Sequence, residues 1–158
     1  MRLYLVQHGE ACAKEVDPER PLSDQGKHDI DQLAALMLDT GNRVGRVIHS
    51  GKRRAQQTAE RLARAMAPDV ELETSGLINP NDDPAAFDWH SESLDRDTLI
   101  VGHLPFMAKL VSQLMFNDKD RHVVSYRPGS MVCLETDQGI WKINWMIRPE
   151  LLNRSNNQ

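Results

Sequence analysis

The chain has 158 residues, of which 40% are hydrophobic and 27% charged, and this is the composition of an ordinary soluble globular domain. A formal charge of −4 argues against a general binder of nucleic acid or of membrane surfaces, although it allows a local basic pocket. The length suits a core that is stable without disulfides. We therefore predict a single domain over 1–150, followed by a polar tail over 151–158.

The two cysteines and the N-terminal segment bear on the cellular compartment. Cys12 and Cys133 are each flanked by strand-like sequence, which predicts buried free thiols in a reducing environment rather than a disulfide. The first ten residues carry a single positive charge and only a short apolar run, unlike a secretory signal. No apolar stretch approaches the length of a membrane span. We expect a cytoplasmic protein.

The first half of the chain alternates strands with helices. Residues 2–7 are nearly all apolar, which predicts a strand that is covered on both faces. Ser23 is the predicted N-cap of a helix that runs to about residue 39 and stops at Gly41. A strand over 44–50, a helix over 51–66 and a short strand over 70–74 are expected to follow.

The second half continues this alternation and then changes. A weak helix is predicted over 84–93, and an apolar strand over 98–103 leads to a helix opened by Pro105. Residues 130–135 and 140–147 predict an antiparallel hairpin. The expected fold is therefore α/β and three-layered, with a mostly parallel sheet, helices on both faces and an antiparallel C-terminal hairpin.

Three predicted strands end in polar or charged residues. The segments are Gln7-His8-Gly9, Ser50-Gly51-Lys52-Arg53-Arg54 and Gly102-His103. Ligands of such sheets bind beyond the carboxyl ends of the strands, and Gly9 would let a ligand approach the backbone. Cations in the first turn of a helix are unfavourable, and a bound phosphate would compensate for this. Solvated side chains explain Lys52 and Arg53 better, whereas for Arg54 the solvated and the anion-binding interpretations are equally good.

The six histidines also divide into structural residues and candidates for a site. A lone histidine after a strand is usually a hydrogen-bonded structural residue, and we interpret His28, His49, His90 and His122 in this sense. His8 and His103 each adjoin a glycine at a strand end, which makes them candidates for a site. Neither signal is strong by itself.

Four motifs together resemble the histidine phosphatase superfamily. The segment "QHGEA" is similar to its R-H-G signature, "SGKRRAQQT" over 50–58 to its S-x-x-x-R-A-x-Q-T helix start, and "VGHLP" over 101–105 to its second-histidine motif. The segment "RPLSDQG" over 20–26 resembles its R-P-L-T-x-x-G stretch. The short chain, without room for a cap domain, resembles the SixA-type phosphohistidine phosphatases in particular.

The resemblance implies a mechanism. His8 would attack phosphorus and become transiently phosphorylated, and water would then release inorganic phosphate. Neutral imidazole is a competent nucleophile near pH 7 without a separate base. Arg54 and His103 would stabilise the charge of the transferring group. The sequence shows no metal-ligand spacing, so we expect a metal-independent enzyme without a cofactor.

Gln7 departs from the family pattern, which has arginine at this position. A glutamine amide can donate to a phosphate oxygen but brings no charge. Our hypothesis is that Arg20 supplies the missing positive charge, so that the predicted phosphate-binding residues are Gln7, Gly9, Arg20, Arg54 and His103. The alternative is a non-catalytic module that binds phosphoproteins.

The substrate can be argued from the leaving group. Phosphomonoesterases of the superfamily usually protonate an alkoxide with an acid on the loop after the third strand, where this chain has Asn79, Asn81, Asp82 and Asp83. We interpret the two aspartates as a solvated helix start. Imidazole leaves without a dedicated acid. The expected partner is a phosphohistidine-bearing signalling or phosphocarrier protein, without nucleic acid or membrane; a small-molecule phosphomonoesterase that uses Asp82 or Asp83 is the alternative.

Overall fold

The computed structural model describes residues 1–87 and 95–153. Its six strands form one sheet. They are β1 (Arg2–Gln7), β2 (Arg46–His49), β3 (Leu72–Thr74), β4 (Thr98–Gly102), β5 (Met131–Asp137) and β6 (Ile140–Ile147). The order across the sheet is β3-β2-β4-β1-β5-β6. Strands β1 to β4 are mutually parallel, β5 is antiparallel to β1, and β6 forms an antiparallel hairpin with β5, which confirms the predicted sheet.

Three α-helices cover the sheet, namely α1 (Asp24–Asp39), α2 (Arg53–Met66) and α3 (Phe106–Phe116). Alternate residues of β1 enter two separate cores, as the pleat of a strand requires. Tyr4 and Val6 pack with residues of α1 and α2, whereas Leu3 and Leu5 pack with residues of α3. Helices therefore lie on both faces, and the predicted three-layer α/β fold is confirmed.

Local sequence accounts for the helix ends and the hairpin. Ser23 is the N-cap of α1, and its side chain accepts a hydrogen bond from the Gly26 N–H, as predicted. The chain turns at Gln138 and Gly139, whose positive φ angles of 55° and 81° suit a tight hairpin turn. No helix within 1–87 and 95–153 is both long and apolar enough to cross a membrane.

Several element boundaries differ from the predictions. Strand β2 is shorter than 44–50, because Val44 and Gly45 bond to the Met66 carbonyl and the Asp97 carbonyl instead of extending the strand. Of the weak helix over 84–93, the structure has only a 3₁₀ turn at Pro84–Ala86; the rest of it beyond residue 87, His90 included, lies outside the described residues.

The cysteines and the tail also differ in part from the expectation. Both cysteines are free, but only Cys133 is buried, since Cys12 is partly exposed. The predicted polar tail begins with an ordered contact, because the Asn153 side chain donates to the carboxylate of Asp29 on α1 at 3.0 Å. Residues 154–158 lie outside the described part of the chain.

Candidate active site

The pairing register of the sheet brings the predicted strand ends together. Gln7 is paired with Gly102 at the ends of β1 and β4, so His8 and His103 follow directly from neighbouring strands. Their rings lie with centroids 5.0 Å apart. Strand β2 runs parallel on the other side of β4, with His49 opposite Val101, and so delivers Ser50 to the same edge. Residues distant in the chain therefore form one cluster.

A single hydrogen bond defines the chemical state of His8. Its Nδ1 lies 2.7 Å from the carbonyl oxygen of Gly9. A carbonyl can only accept, so Nδ1 carries the proton and the lone pair of the neutral ring lies on Nε2. Burial lowers the pKa of His8 to about 4, opposed by the Gly9 hydrogen bond and assisted by the charges of Arg54 and Arg20. His8 is therefore neutral at pH 7, and a neutral imidazole with a free Nε2 lone pair has the state that a nucleophilic histidine requires.

The backbone after His8 is held by packing and by a buried threonine. The Gly9 N–H donates to Thr58 Oγ1 at 3.0 Å, and the Thr58 hydroxyl donates to the Arg54 carbonyl at 2.8 Å. A Cβ at Gly9 would lie 3.0 Å from Cγ1 of Ile30. The Gly9 N–H is therefore engaged within the protein, and the missing side chain of Gly9 is required by internal packing.

His103 is buried beside Ser50. Its Nε2 lies 2.6 Å from Ser50 Oγ, which also accepts from the Lys52 N–H at 3.4 Å. If Ser50 donates its hydroxyl proton to Nε2, the proton of the neutral ring resides on Nδ1. That nitrogen is buried and has no partner among the described atoms. Burial, with smaller effects of neighbouring cations and His8, lowers the pKa of His103 to about 3.

Two guanidinium groups lie at this edge, and neither pairs with a carboxylate of residues 1–87 or 95–153. Burial and the charge of Arg20 lower the pKa of Arg54, and the buried Arg54 Nε has no hydrogen-bond partner in the described part of the chain. Arg20 has a positive φ of 47°, and its Nε donates to the Cys12 carbonyl at 3.1 Å. Its charge also depresses the pKa values of both site histidines. Two adjacent cations without counter-ions are suited to bind an anion.

Gln7 is the last residue of β1, at the strand end that precedes His8, and it is buried. Its side-chain Oε1 is buried and has no hydrogen-bond partner among the described residues, while its backbone carbonyl accepts from the Gly129 N–H. Burying an unpaired polar group is unfavourable, so a bound ligand that supplied a partner would be stabilised here. The structure thus brings Gln7 together with His8 and His103.

A family comparison agrees with this geometry. The model of the histidine phosphatase superfamily (branch 1) matches residues 3–76, a range that includes Gln7, His8, Arg20 and Arg54. No curated protein sequence matches the chain significantly.

Solved structures match over nearly the whole chain. The protein histidine phosphatase SixA complexed with tungstate superposes with a TM-score of 0.84 at 22% identity, covering 96% of this chain and 99% of that one. A SixA protein from Agrobacterium tumefaciens gives 0.73 at 21%, with coverages of 94% and 97%. The alpha-ribazole phosphatase from Shigella flexneri gives 0.71 at 18%, with coverages of 91% and 95%. This chain has the histidine phosphatase fold.

The loop after β3 of this histidine phosphatase fold contains the aspartates considered as general acids. Asp82 Oδ2 accepts from the Asn79 N–H at 2.8 Å, and Asp83 Oδ1 accepts from the Ala85 N–H at 3.0 Å. Asp83 also pairs with Lys119 at 3.7 Å. Both carboxylates therefore stabilise the loop itself. Asp83 is the N-cap of the 3₁₀ turn, which fits its interpretation as part of a helix start.

Three residues of the segment 50–58 have structural roles that the sequence analysis did not assign. Ser50 orients His103, Thr58 holds Gly9, and the Gln57 side chain accepts from the Leu22 N–H at 2.7 Å. All three lie inside the segment that resembles the family, and that resemblance was the signal that could have found them. Within the described residues, no cluster of His, Cys, Asp and Glu could hold a metal ion.

Proposed function

We propose that this protein is a phosphatase that removes the phosphoryl group from a phosphohistidine of another protein, with His8 as the nucleophile. The observation that carries the proposal is a neutral His8, with its Nε2 lone pair unprotonated, beside two guanidinium groups that pair with no carboxylate in the described part of the chain. This combination suits attack on an anionic phosphorus centre.

The reaction has two displacement steps. In the first, the substrate ring carries a proton on its other nitrogen. His8 Nε2 forms a bond to phosphorus while the substrate N–P bond breaks, and its electron pair returns to the ring, which leaves as neutral imidazole. In the second, water attacks the phosphoryl group on His8, giving inorganic phosphate and regenerating neutral His8. Arg54 and the His103 Nδ1 proton would stabilise the equatorial oxygens in both steps. Neither step requires a metal ion or a cofactor.

In this proposal Arg20 supplies the positive charge that the family pattern has at the position of Gln7. Gln7 can bond to a phosphoryl oxygen but leaves the site one charge short. The Arg20 charge already acts on His8, Arg54 and His103, and its guanidinium is oriented by the Cys12 carbonyl. We therefore assign phosphate binding to Gln7, Arg20, Arg54 and His103.

The leaving group favours phosphohistidine over a phosphomonoester. An alkoxide needs an acid, and Asp82 and Asp83 are engaged in local hydrogen bonds. The ring of a phosphohistidine is protonated from solvent near neutral pH, so it leaves as neutral imidazole without a dedicated acid. The protein histidine phosphatase SixA also superposes on this chain with a higher TM-score, 0.84, than the alpha-ribazole phosphatase, 0.71. We propose a cytoplasmic signalling or phosphocarrier protein as the substrate.

A small-molecule phosphomonoesterase is the second candidate, favoured by the superposition on an alpha-ribazole phosphatase. A non-catalytic phosphoprotein-binding module is the third, favoured by Gln7. Phosphate release from a phosphohistidine protein and from sugar phosphates separates these candidates. We expect release from the phosphohistidine protein alone, loss of it in His8→Ala, and wild-type rates in the matched control His122→Ala, which changes an exposed histidine.

Faster release from sugar phosphates would instead support the phosphomonoesterase. Tungstate binding without turnover of either substrate would support the binding module.

A further inference from the structure

Exposed apolar side chains surround the edge of the sheet at which the candidate site lies. Val16, Leu77 and Leu104 are exposed to 77%, 49% and 37%. They lie on the loops that follow β1, β3 and β4, which are parallel strands. Because parallel strands end at one edge, these loops leave the sheet on the side of His8 and His103. Apolar side chains exposed on the loops around one site provide area that a protein partner can bury on binding.

Unpaired cations lie at the same edge. Lys52 and Arg53 are exposed at the start of α2, which has no acidic residue in its first turn. Neither forms an ion pair with a carboxylate in the described ranges 1–87 and 95–153. Cations are unfavourable at the positive end of a helix, so a negatively charged partner would relieve this cost. The Lys52 charge also contributes to the lowered pKa of His103, which indicates that Lys52 lies near the site.

Buried polar atoms at this edge indicate that a ligand reaches it. The His103 Nδ1 and Gln7 Oε1 atoms have no described partner, although the two residues are only 2% and 7% exposed. A ligand that enters here and is attached to a protein brings that protein's surface against the surrounding loops. Apolar groups would then meet Val16, Leu77 and Leu104, and acidic groups would meet the start of α2.

We propose that Val16, Lys52, Arg53, Leu77 and Leu104, here called the docking rim, bind a folded phosphoprotein whose surface around the phosphohistidine is both acidic and apolar. This inference rests on the proposed function, whose substrate it specifies. The docking rim supplies affinity for the protein that carries the phosphoryl group, while the phosphoryl group itself is bound by the inner residues.

Charge reversal at Arg53 tests the electrostatic part. Arg53→Glu places an acid where the helix start favours one, so it should not unfold the protein. With an acidic phosphohistidine protein we expect kcat/KM to fall by about fivefold or more at low ionic strength. The fall should come from a higher KM, and added salt should make it smaller. With free phosphohistidine amino acid, the rate should stay within about twofold, because the small substrate does not reach the docking rim. Arg64→Glu, the same change at the far end of α2, should leave both rates within about twofold.

Serine substitutions test the apolar part. Val16→Ser and Leu77→Ser should each weaken turnover of the phosphohistidine protein and spare that of the free amino acid. Ile140→Ser is the control, since Ile140 is 64% exposed at the turn between β5 and β6. If the docking-rim variants behave like the controls, or slow both substrates equally, the docking proposal is wrong while the proposed function stands. If the wild-type protein hydrolyses neither substrate, both proposals are wrong.

Discussion

The buried hydroxyl of Thr58 gives the sharpest test of how His8 is positioned. Thr58 is fully buried, accepts from the Gly9 N–H at 3.0 Å and donates to the Arg54 carbonyl at 2.8 Å. Thr58→Val keeps the shape of the side chain but leaves the Gly9 N–H without a partner. An unsatisfied buried donor costs about 1–3 kcal/mol. For a chain of this size, each kcal/mol corresponds to roughly 2–4 °C in Tm.

Urea unfolding, thermal unfolding and the turnover of a phosphohistidine protein measure the effect. Because the same hydrogen bond holds the backbone of the nucleophile, Thr58→Val should also lower kcat by about tenfold or more, and each tenfold corresponds to about 1.4 kcal/mol of barrier. Thr58→Ser is the matched control: it loses a buried methyl but keeps the hydroxyl, so its kcat should stay near the wild-type value. Wild-type turnover and stability in Thr58→Val would refute the reasoning.

Three further predictions concern charge, pH and packing. Arg20→Ala should lower kcat about as severely as Arg54→Ala, and a negligible effect measured by phosphate release would remove Arg20 from the site. Burial holds the pKa of His8 near 4, below the unfolded value of about 6.5, so the unfolded chain binds more protons at this histidine between those values. The contribution of His8 to the free energy of unfolding should then fall by up to about 3 kcal/mol as the pH is lowered through that window. Because the lowered pKa of His103 adds a loss of its own, the His8 contribution is measured as the difference between the wild type and His8→Gln. An NMR titration midpoint of His8 near 6.5 would contradict this. Gly26→Ala should destabilise by about 1–3 kcal/mol in urea unfolding despite the better helix propensity of alanine, because its Cβ would lie 2.0 Å from the Glu10 carbonyl oxygen; an unchanged or higher stability would argue against that packing.

The elements that local physics dictates were predicted well. The apolar run of β1, the N-cap of α1 at Ser23 and the C-terminal hairpin each carry their signal within a few neighbouring residues, and the structure has all three. The site was also predictable in outline, because parallel strands align their carboxyl ends. His8 and His103 therefore had to meet once β1 and β4 became neighbours.

What the sequence could not show depends on contacts between distant residues. Ile30, Leu22 and Gly26 leave no room for a side chain at Gly9, and no residue near Gly9 in the sequence indicates this packing. The pairing of the Gly9 N–H with Thr58, 49 residues away, has no local signature. The tautomer of His8 likewise follows from a backbone turn that the residue types do not specify.

The central claim is that His8 accepts the phosphoryl group, and rapid-quench labelling tests it most directly. A phosphohistidine protein with a labelled phosphoryl group is mixed with excess enzyme, the reaction is stopped in base, and the label is located by peptide mapping. We predict an acid-labile phosphoryl group on the peptide that contains His8, and no label in His8→Ala. Label on another residue, or turnover by His8→Ala at the wild-type rate, would contradict the account.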